Sequence, residues 1–281
     1  MQNKCIIHYL SRPKVCTLPL GLGDFLRGVV NCYELCDQYD YDMVINRCSN
    51  DIFKYFQDNN SYECYDVNKT QIKEIYFHPD DVDTTINNLF KEGNKELNIY
   101  TNLANKNFNG NGFTLWPETI SQKTLSFVKS IITPTKYLRD KIDEITPKEN
   151  YSVVHVRSGD YDIFKDKSYD HKEHLTLHNK EMVKLFSTIE NIDCAGKLFL
   201  VCDSERVGGI LKEKYDHLIY TGGKKSAIGC DCFDDQENVD TLIDFFITTN
   251  ADKIYSYSIY GISGFTYSAS KLFNIPFEEI K

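Results

Sequence analysis

The stretch Val153-Val154-His155-Val156-Arg157-Ser158-Gly159-Asp160-Tyr161 sets a histidine, an arginine, a glycine and a carboxylate in close order behind an apolar run. The run reads as a buried strand, and the two-residue period of a strand puts His155 and Arg157 on one side of it. The chain then turns at Gly159. An open α/β sheet binds its ligands at the carboxyl ends of its strands, which is where Arg157 stands. A guanidinium is planar, always charged and able to grip two oxygens at once, so it suits a diphosphate. A strand end in which Arg157 merely pairs with Asp160 is the structural alternative. That alternative does not account for the order His-x-Arg-x-Gly-Asp.

A second candidate is Gly21-Leu22-Gly23-Asp24-Phe25-Leu26-Arg27-Gly28, which introduces a helical pattern. Two glycines allow a tight turn, and a helix N-terminus offers unpaired N–H groups to an anion or a sugar oxygen. The alternative is a plain turn capped by Asp24. A dinucleotide fingerprint fails on spacing, because its third glycine would fall at Leu26. No acidic residue closes the following strand-like run YDMVINR either, although Arg47 there could meet a 2′-phosphate. A nucleotide-dependent oxidoreductase is thereby a runner-up, disfavoured by the missing third glycine.

These residues need elements to hold them. Residues 4–10 and 41–47 read as short buried strands, and Phe25–Tyr39 between them has helical apolar spacing. From 50 to 115 the chain is rich in Asn, Asp and Lys, and its periodicity orders no elements. Thr135–Ile145 reads as a helix introduced by Pro134 and stopped before Pro147. Residues 147–150 form the candidate linker. Beyond it YSVVHVR, a helix near 178–190, KLFLVCD, a helix near 205–214, HLIYTG, a helix near 236–249 and KIYSYS alternate. That alternation predicts a doubly wound parallel sheet. The expected organisation is two Rossmann-like α/β domains facing across a cleft, residues 1–147 and 148–281.

Composition sets the outer limits. The 281 residues include 32 Lys and Arg against 41 Asp and Glu, a net charge of −9. A chain this acidic lacks the basic surface required by nucleic acid or anionic lipid. No apolar run reaches the ~18–20 residues of a membrane helix. The opening stretch is too short for a signal segment and has no small-residue cleavage site, so the expectation is a cytoplasmic protein. Ten cysteines are diluted in a full-sized core. Cys5, Cys194 and Cys202 lie in apolar strand-like runs and read as reduced core thiols.

His155-Val156-Arg157-Ser158-Gly159-Asp160-Tyr161 resembles the H-V-R-x-G-D-Y motif of the fucosyltransferase superfamily, which spans α-1,2-, α-1,6- and protein O-fucosyltransferases. Gly21-Leu22-Gly23-Asp24 is similar to that family's G-L-G-N. Leu198–Ser204 is similar to its strand ending in Ser-Asp, and Asp240–Leu242 through Gly261–Ala269 to its final helix, strand and Ser-x-Phe-Ser loop. The resemblance implies a GT-B fold and an inverting transfer of a sugar to a glycan hydroxyl without a metal or resident cofactor. The donor is a nucleotide sugar, most simply GDP-fucose. It further implies that Arg157 binds the β-phosphate, His155 touches the nucleotide and Asp203 contacts the base. Ser263, Gly264, Phe265, Thr266 and Tyr267 would supply hydroxyls and N–H groups to the phosphates, with Gly21, Gly23 and Arg27 also on the donor side. Asp24, Ser158 and Gly264–Tyr267 depart from the family pattern, which loosens the assignment of fucose and leaves UDP-xylose or another donor open.

For the acceptor proton Asp24 is the first candidate base, Asp160 the second and His155 the third. Asp40-Tyr-Asp42, Asp81-Val-Asp83 and Asp160-Tyr-Asp162 match the D-x-D of metal-dependent transferases, and an acidic chain yields such matches by chance. His171, His174 and His178, with Cys230 and Cys232, have zinc-like spacing in a polar stretch that also reads as a solvated helix start. Lys224 and Lys225 could reach a phosphate or simply line a solvated loop. Phe108, Phe113 and Trp116 could stack on acceptor sugars or fill the core. A non-catalytic glycan-binding protein is the remaining alternative. The lack of an anchor suggests a bacterial or viral glycan pathway.

Overall fold

The computed structural model describes residues 5–8, 21–47, 50–57, 62–63, 72–74, 79–100, 116, 119–158, 182–194, 196–223, 235–258 and 261–280. The chain divides into two compact units, whose described residues lie within 1–139 and 140–281 respectively. The division falls inside a helix, Lys136–Ile145, and Pro147 follows that helix's end.

In the first unit the elements run β1 (Cys5–His8), α1 (Leu22–Tyr39), β2 (Asp42–Asn46), β3 (Tyr62–Glu63), β4 (Ile72–Glu74), α2 (Pro79–Lys91), β5 (Glu96–Tyr100) and α3 (Gln122–Ile131), with α4 (Lys136–Ile145) closing it. The sheet is parallel, in the order β3-β2-β1-β5-β4, so β1 is central. Helix α1 buries Phe25, Leu26, Val29, Val30, Cys32, Leu35 and Cys36, the stripe its sequence spacing predicts. It stops at Asp40, which takes the left-handed conformation (φ 55°) and donates its N–H to Cys36. This is a structural use for one aspartate of the first D-x-D. Ile6, Cys32, Leu35, Ile86, Phe90, Leu97 and Ile99 pack into one core between α1, α2 and the sheet.

The second unit contains β6 (Tyr151–Arg157), α5 (182–190), β7 (Lys197–Cys202), α6 (Glu205–Lys214), β8 (Leu218–Tyr220), α7 (Asp235–Thr249), β9 (Lys253–Ser258), α8 (Gly264–Phe273) and β10 (Phe277–Glu279). Its sheet is also parallel, in the order β10-β9-β6-β7-β8, with β6 central. Strand alternation sorts β6 cleanly. Val154 and Val156 join the core formed with Leu185 and Ile189 of α5 and Leu211 of α6. His155, on the other face, meets α8 through Thr266. The start of β7 lies hard against the start of β6: a Cβ at Gly196 would stand 2.5 Å from the Asn150 carbonyl oxygen.

Two parallel α/β units with alternating helices are the class predicted from the sequence. Among the described residues no helix is long and apolar enough to cross a membrane. Cys202 is a buried core thiol, whereas Cys5 and Cys194 are only half-buried.

Candidate functional site

In the second unit, parallel pairing brings the chemistry-bearing residues to one edge of the sheet. Arg157 ends β6 level with Ser258 of β9, and His155 lies level with Ser256. Val156 lies level with Cys202, so Asp203 follows β7 immediately beside the end of β6. The Asp203 carboxylate accepts two hydrogen bonds through Oδ1, from the Ser158 N–H (2.9 Å) and the Ser158 hydroxyl (3.0 Å). Asp203, predicted to contact a base, therefore also ties the ends of β6 and β7 together. Ser158 is the complement that sequence reasoning missed; it stands where the resembling family often has arginine. Arg157 itself is half-buried.

His155 is buried, 4% exposed, and its surroundings are polar on one side and aromatic on the other. Its Nδ1 lies 3.3 Å from the Ser256 hydroxyl and 3.5 Å from the Thr266 hydroxyl. Its ring stacks at 23° on Phe265, whose other neighbour is the edge of Phe245. Burial, with the Arg157 charge close by, lowers the His155 pKa to about 3. The imidazole is thus neutral at ordinary pH and a weak proton acceptor. Ser256 left a trace in the sequence as a polar residue inside the apolar run KIYSYS.

The predicted loop Ser263–Tyr267 is a helix start instead. Ser263 is the N-cap of α8, and Gly264, Phe265, Thr266 and Tyr267 form its first turn. The Ser263 side chain makes no capping bond, and both Ser263 and Thr266 are buried. A helix's first N–H groups have no partner within the helix, so this turn can hold an oxyanion through its backbone. The hydroxyls predicted to line that site are packed inside the unit.

In the first unit the residues singled out from the sequence lie on β1 and α1. Gly21 is the N-cap of α1 at φ −69°, ψ 163°, again without a side-chain capping bond, and Gly23 lies within the first turn. Neither glycine has a left-handed backbone; both belong to the start of α1, whose cap is Gly21 and not Asp24. A Cβ at Gly21 would meet only Asp24 Oδ2, at 3.9 Å. Asp24 instead binds Arg27 one turn on, Oδ1 to guanidinium 2.7 Å. The Arg27 side chain is 5% exposed and that of Asp24 38%. Burial lowers the Arg27 pKa, with the Asp24 charge opposing the shift. Arg27, predicted for the donor side, is thus an internal cation that holds a more exposed carboxylate.

His8, at the end of β1, stacks in parallel on Phe25 of α1 at 5.2 Å and places Nδ1 3.1 Å from the Ile99 carbonyl. Burial lowers its pKa to about 4. In the sequence it stands within the short apolar run read as the first strand. Trp116 is buried. Asp160, Asp162, Phe108, Phe113, His171, His174, His178, Lys224, Lys225, Cys230 and Cys232 lie outside the described residues. Among the described residues no group of three or more His, Cys, Asp or Glu side chains is placed to hold a metal ion.

No protein-family profile and no curated protein matches the sequence. Solved structures do. The chain is similar to the fucosyltransferase NodZ from Bradyrhizobium, with a TM-score of 0.60 at 15% identity over 99% of this chain and 95% of that one. NodZ α-1,6-fucosyltransferase co-crystallised with GDP gives 0.57 at 17%, over 99% and 95%. A mutant of Arabidopsis thaliana FUT1 in complex with GDP gives 0.58 at 11%, over 99% and 70%. The chain has a fucosyltransferase-like fold.

Proposed function

We propose that the protein is an inverting, metal-independent glycosyltransferase that moves a sugar, most simply fucose from GDP-fucose, to a glycan hydroxyl. Arg157 carries this reading. It ends the central strand of the second sheet, level with Ser258, on a fold shared with fucosyltransferases crystallised with GDP. As the sugar leaves, negative charge grows on the departing diphosphate. A guanidinium and the N–H groups of a helix start stabilise such charge without reorganising. Arg157 and the first turn of α8 take those parts.

The acceptor hydroxyl must lose a proton, and a carboxylate oriented by a fixed partner is suited to receive it. Asp24 takes this part, with Arg27 holding Oδ1 and the remaining carboxylate edge turned to the acceptor. Delivery of the hydroxyl from the side opposite the leaving diphosphate inverts the sugar's configuration. The donor is consumed as a substrate, and no resident cofactor takes part.

A thermal-shift panel of GDP, UDP and NADP tests the reading. Stabilisation by GDP is expected. Stabilisation by UDP alone would transfer the same chemistry to another donor, and stabilisation by NADP alone would replace it with the oxidoreductase reading.

A further inference from the structure

We propose that His155 is a positioning residue: it sets the first turn of α8 through Thr266 and Phe265, and the donor is held by that turn. The inference rests on the nucleotide-sugar reading above and assigns its specificity for the diphosphate to a buried side-chain cluster. Three polar groups from three elements close a triangle. His155 Nδ1 of β6 lies 3.3 Å from Ser256 Oγ of β9 and 3.5 Å from Thr266 Oγ1 of α8, and the two hydroxyls are 3.4 Å apart. All three residues are at most 4% exposed.

The need for such a cluster follows from the helix start itself. An N-terminus is ordinarily pinned by its cap side chain, worth about 1 kcal/mol, and the Ser263 side chain makes no such bond. Two residues before that cap, Gly261 takes the left-handed conformation at φ 91°. What fixes the turn lies beneath it. Thr266 anchors the turn's third residue to His155, and the His155 ring lies against Phe265, the residue before it. A buried neutral imidazole suits this task, because a protonated one would be a second cation beside Arg157 in a desolvated setting. A hydroxyl pair can satisfy the ring nitrogen in either tautomer.

A double-mutant cycle on GDP affinity, read by isothermal titration calorimetry, tests this. His155→Phe keeps a ring against Phe265 and removes Nδ1; Thr266→Val keeps the shape and removes the hydroxyl. Each is expected to weaken GDP binding about tenfold, and the double variant also about tenfold instead of about a hundredfold, because both break one linkage. His155→Asn, which restores a polar atom near Nδ1, is expected to recover affinity to within about threefold, and it serves as the second variant should His155→Phe not fold. Independent, multiplicative effects would overturn the proposal. So would a Thr266→Val protein with wild-type affinity beside a crippled His155→Phe, since that pattern means direct contact of His155 with the nucleotide. If the wild type binds neither GDP nor UDP, the functional reading is what fails. The same cycle is then read in urea unfolding, where additive destabilisation would overturn the His155–Thr266 linkage as well and a non-additive result would uphold it.

Discussion

The two units place a histidine on the central strand of a five-stranded parallel sheet and lay it against a phenylalanine in the first turn of a helix. In the first unit the pair is His8 and Phe25, in the second His155 and Phe265. Both imidazoles are buried, and both have their pKa lowered, to about 4 and about 3. The difference lies in what surrounds them. His8 spends its Nδ1 on a backbone carbonyl of β5, whereas His155 engages two side-chain hydroxyls on two elements. The cation near His8's helix, Arg27, is enclosed and paired with Asp24; the cation near His155, Arg157, is half-buried at a strand end. One architecture thus carries two distributions of charge. The first unit leaves a carboxylate partly exposed and buries its arginine, and the second leaves its arginine half-buried at the carboxyl end of its central strand. A transferase needs both offers, a base for the acceptor and a cation for the leaving diphosphate.

The comparison is broken most strongly at its two presented groups. Asp24→Asn is expected to lower turnover by roughly 10²–10⁴-fold while leaving GDP affinity within about twofold, since only the proton acceptor is lost. Steady-state kinetics beside calorimetry separates these quantities, and unchanged turnover removes Asp24 as the base. Arg157→Ala is expected to weaken GDP binding by about 10–100-fold, the scale of a charge-assisted bidentate contact. Arg27→Ala is expected to act on the fold, lowering stability in thermal melting by about 1–3 kcal/mol, because an enclosed side chain and its bond to Asp24 are lost.

Acid sharpens what the units share. A histidine whose folded pKa lies below its unfolded value near 6.5 stabilises the fold fully above pH 6.5. That stability is lost as the pH falls towards the folded pKa. Urea unfolding should therefore show each histidine removing about 1.4 kcal/mol per pH unit, His8 down to about pH 4 and His155 down to about pH 3. In a His8→Phe variant the histidine contribution to the slope should halve between about pH 6.5 and 4 and be unchanged below pH 4. Smaller effects separate the glycines. Gly196→Ala meets the Asn150 carbonyl and is expected to cost about 1–3 kcal/mol. Gly21→Ala meets ordinary contact and should stay within about 1 kcal/mol of wild type.

Much of this was legible in the sequence, for identifiable reasons. β6 and β7 are buried on both faces and so read as largely apolar runs, and α1 carries a full amphipathic stripe. β3 and β4 are two and three residues long, too short for any period to show, and α2 is largely polar over Pro79–Lys91. The start of α8 read as a loop because Ser, Gly and Thr dominate it. Its helical state comes from tertiary contacts that no local pattern reports. Charge was the least legible quantity: the sequence identified Arg27 and Arg157 alike as cations, and only packing shows that one is enclosed by its own carboxylate.

Release of GDP from GDP-fucose in the presence of EDTA, compared between the wild type and Arg157→Ala, tests the central claim most directly. The account predicts slow hydrolysis by the wild type that EDTA leaves unchanged and that the variant loses. Release that EDTA abolishes, or that Arg157→Ala retains in full, would contradict it.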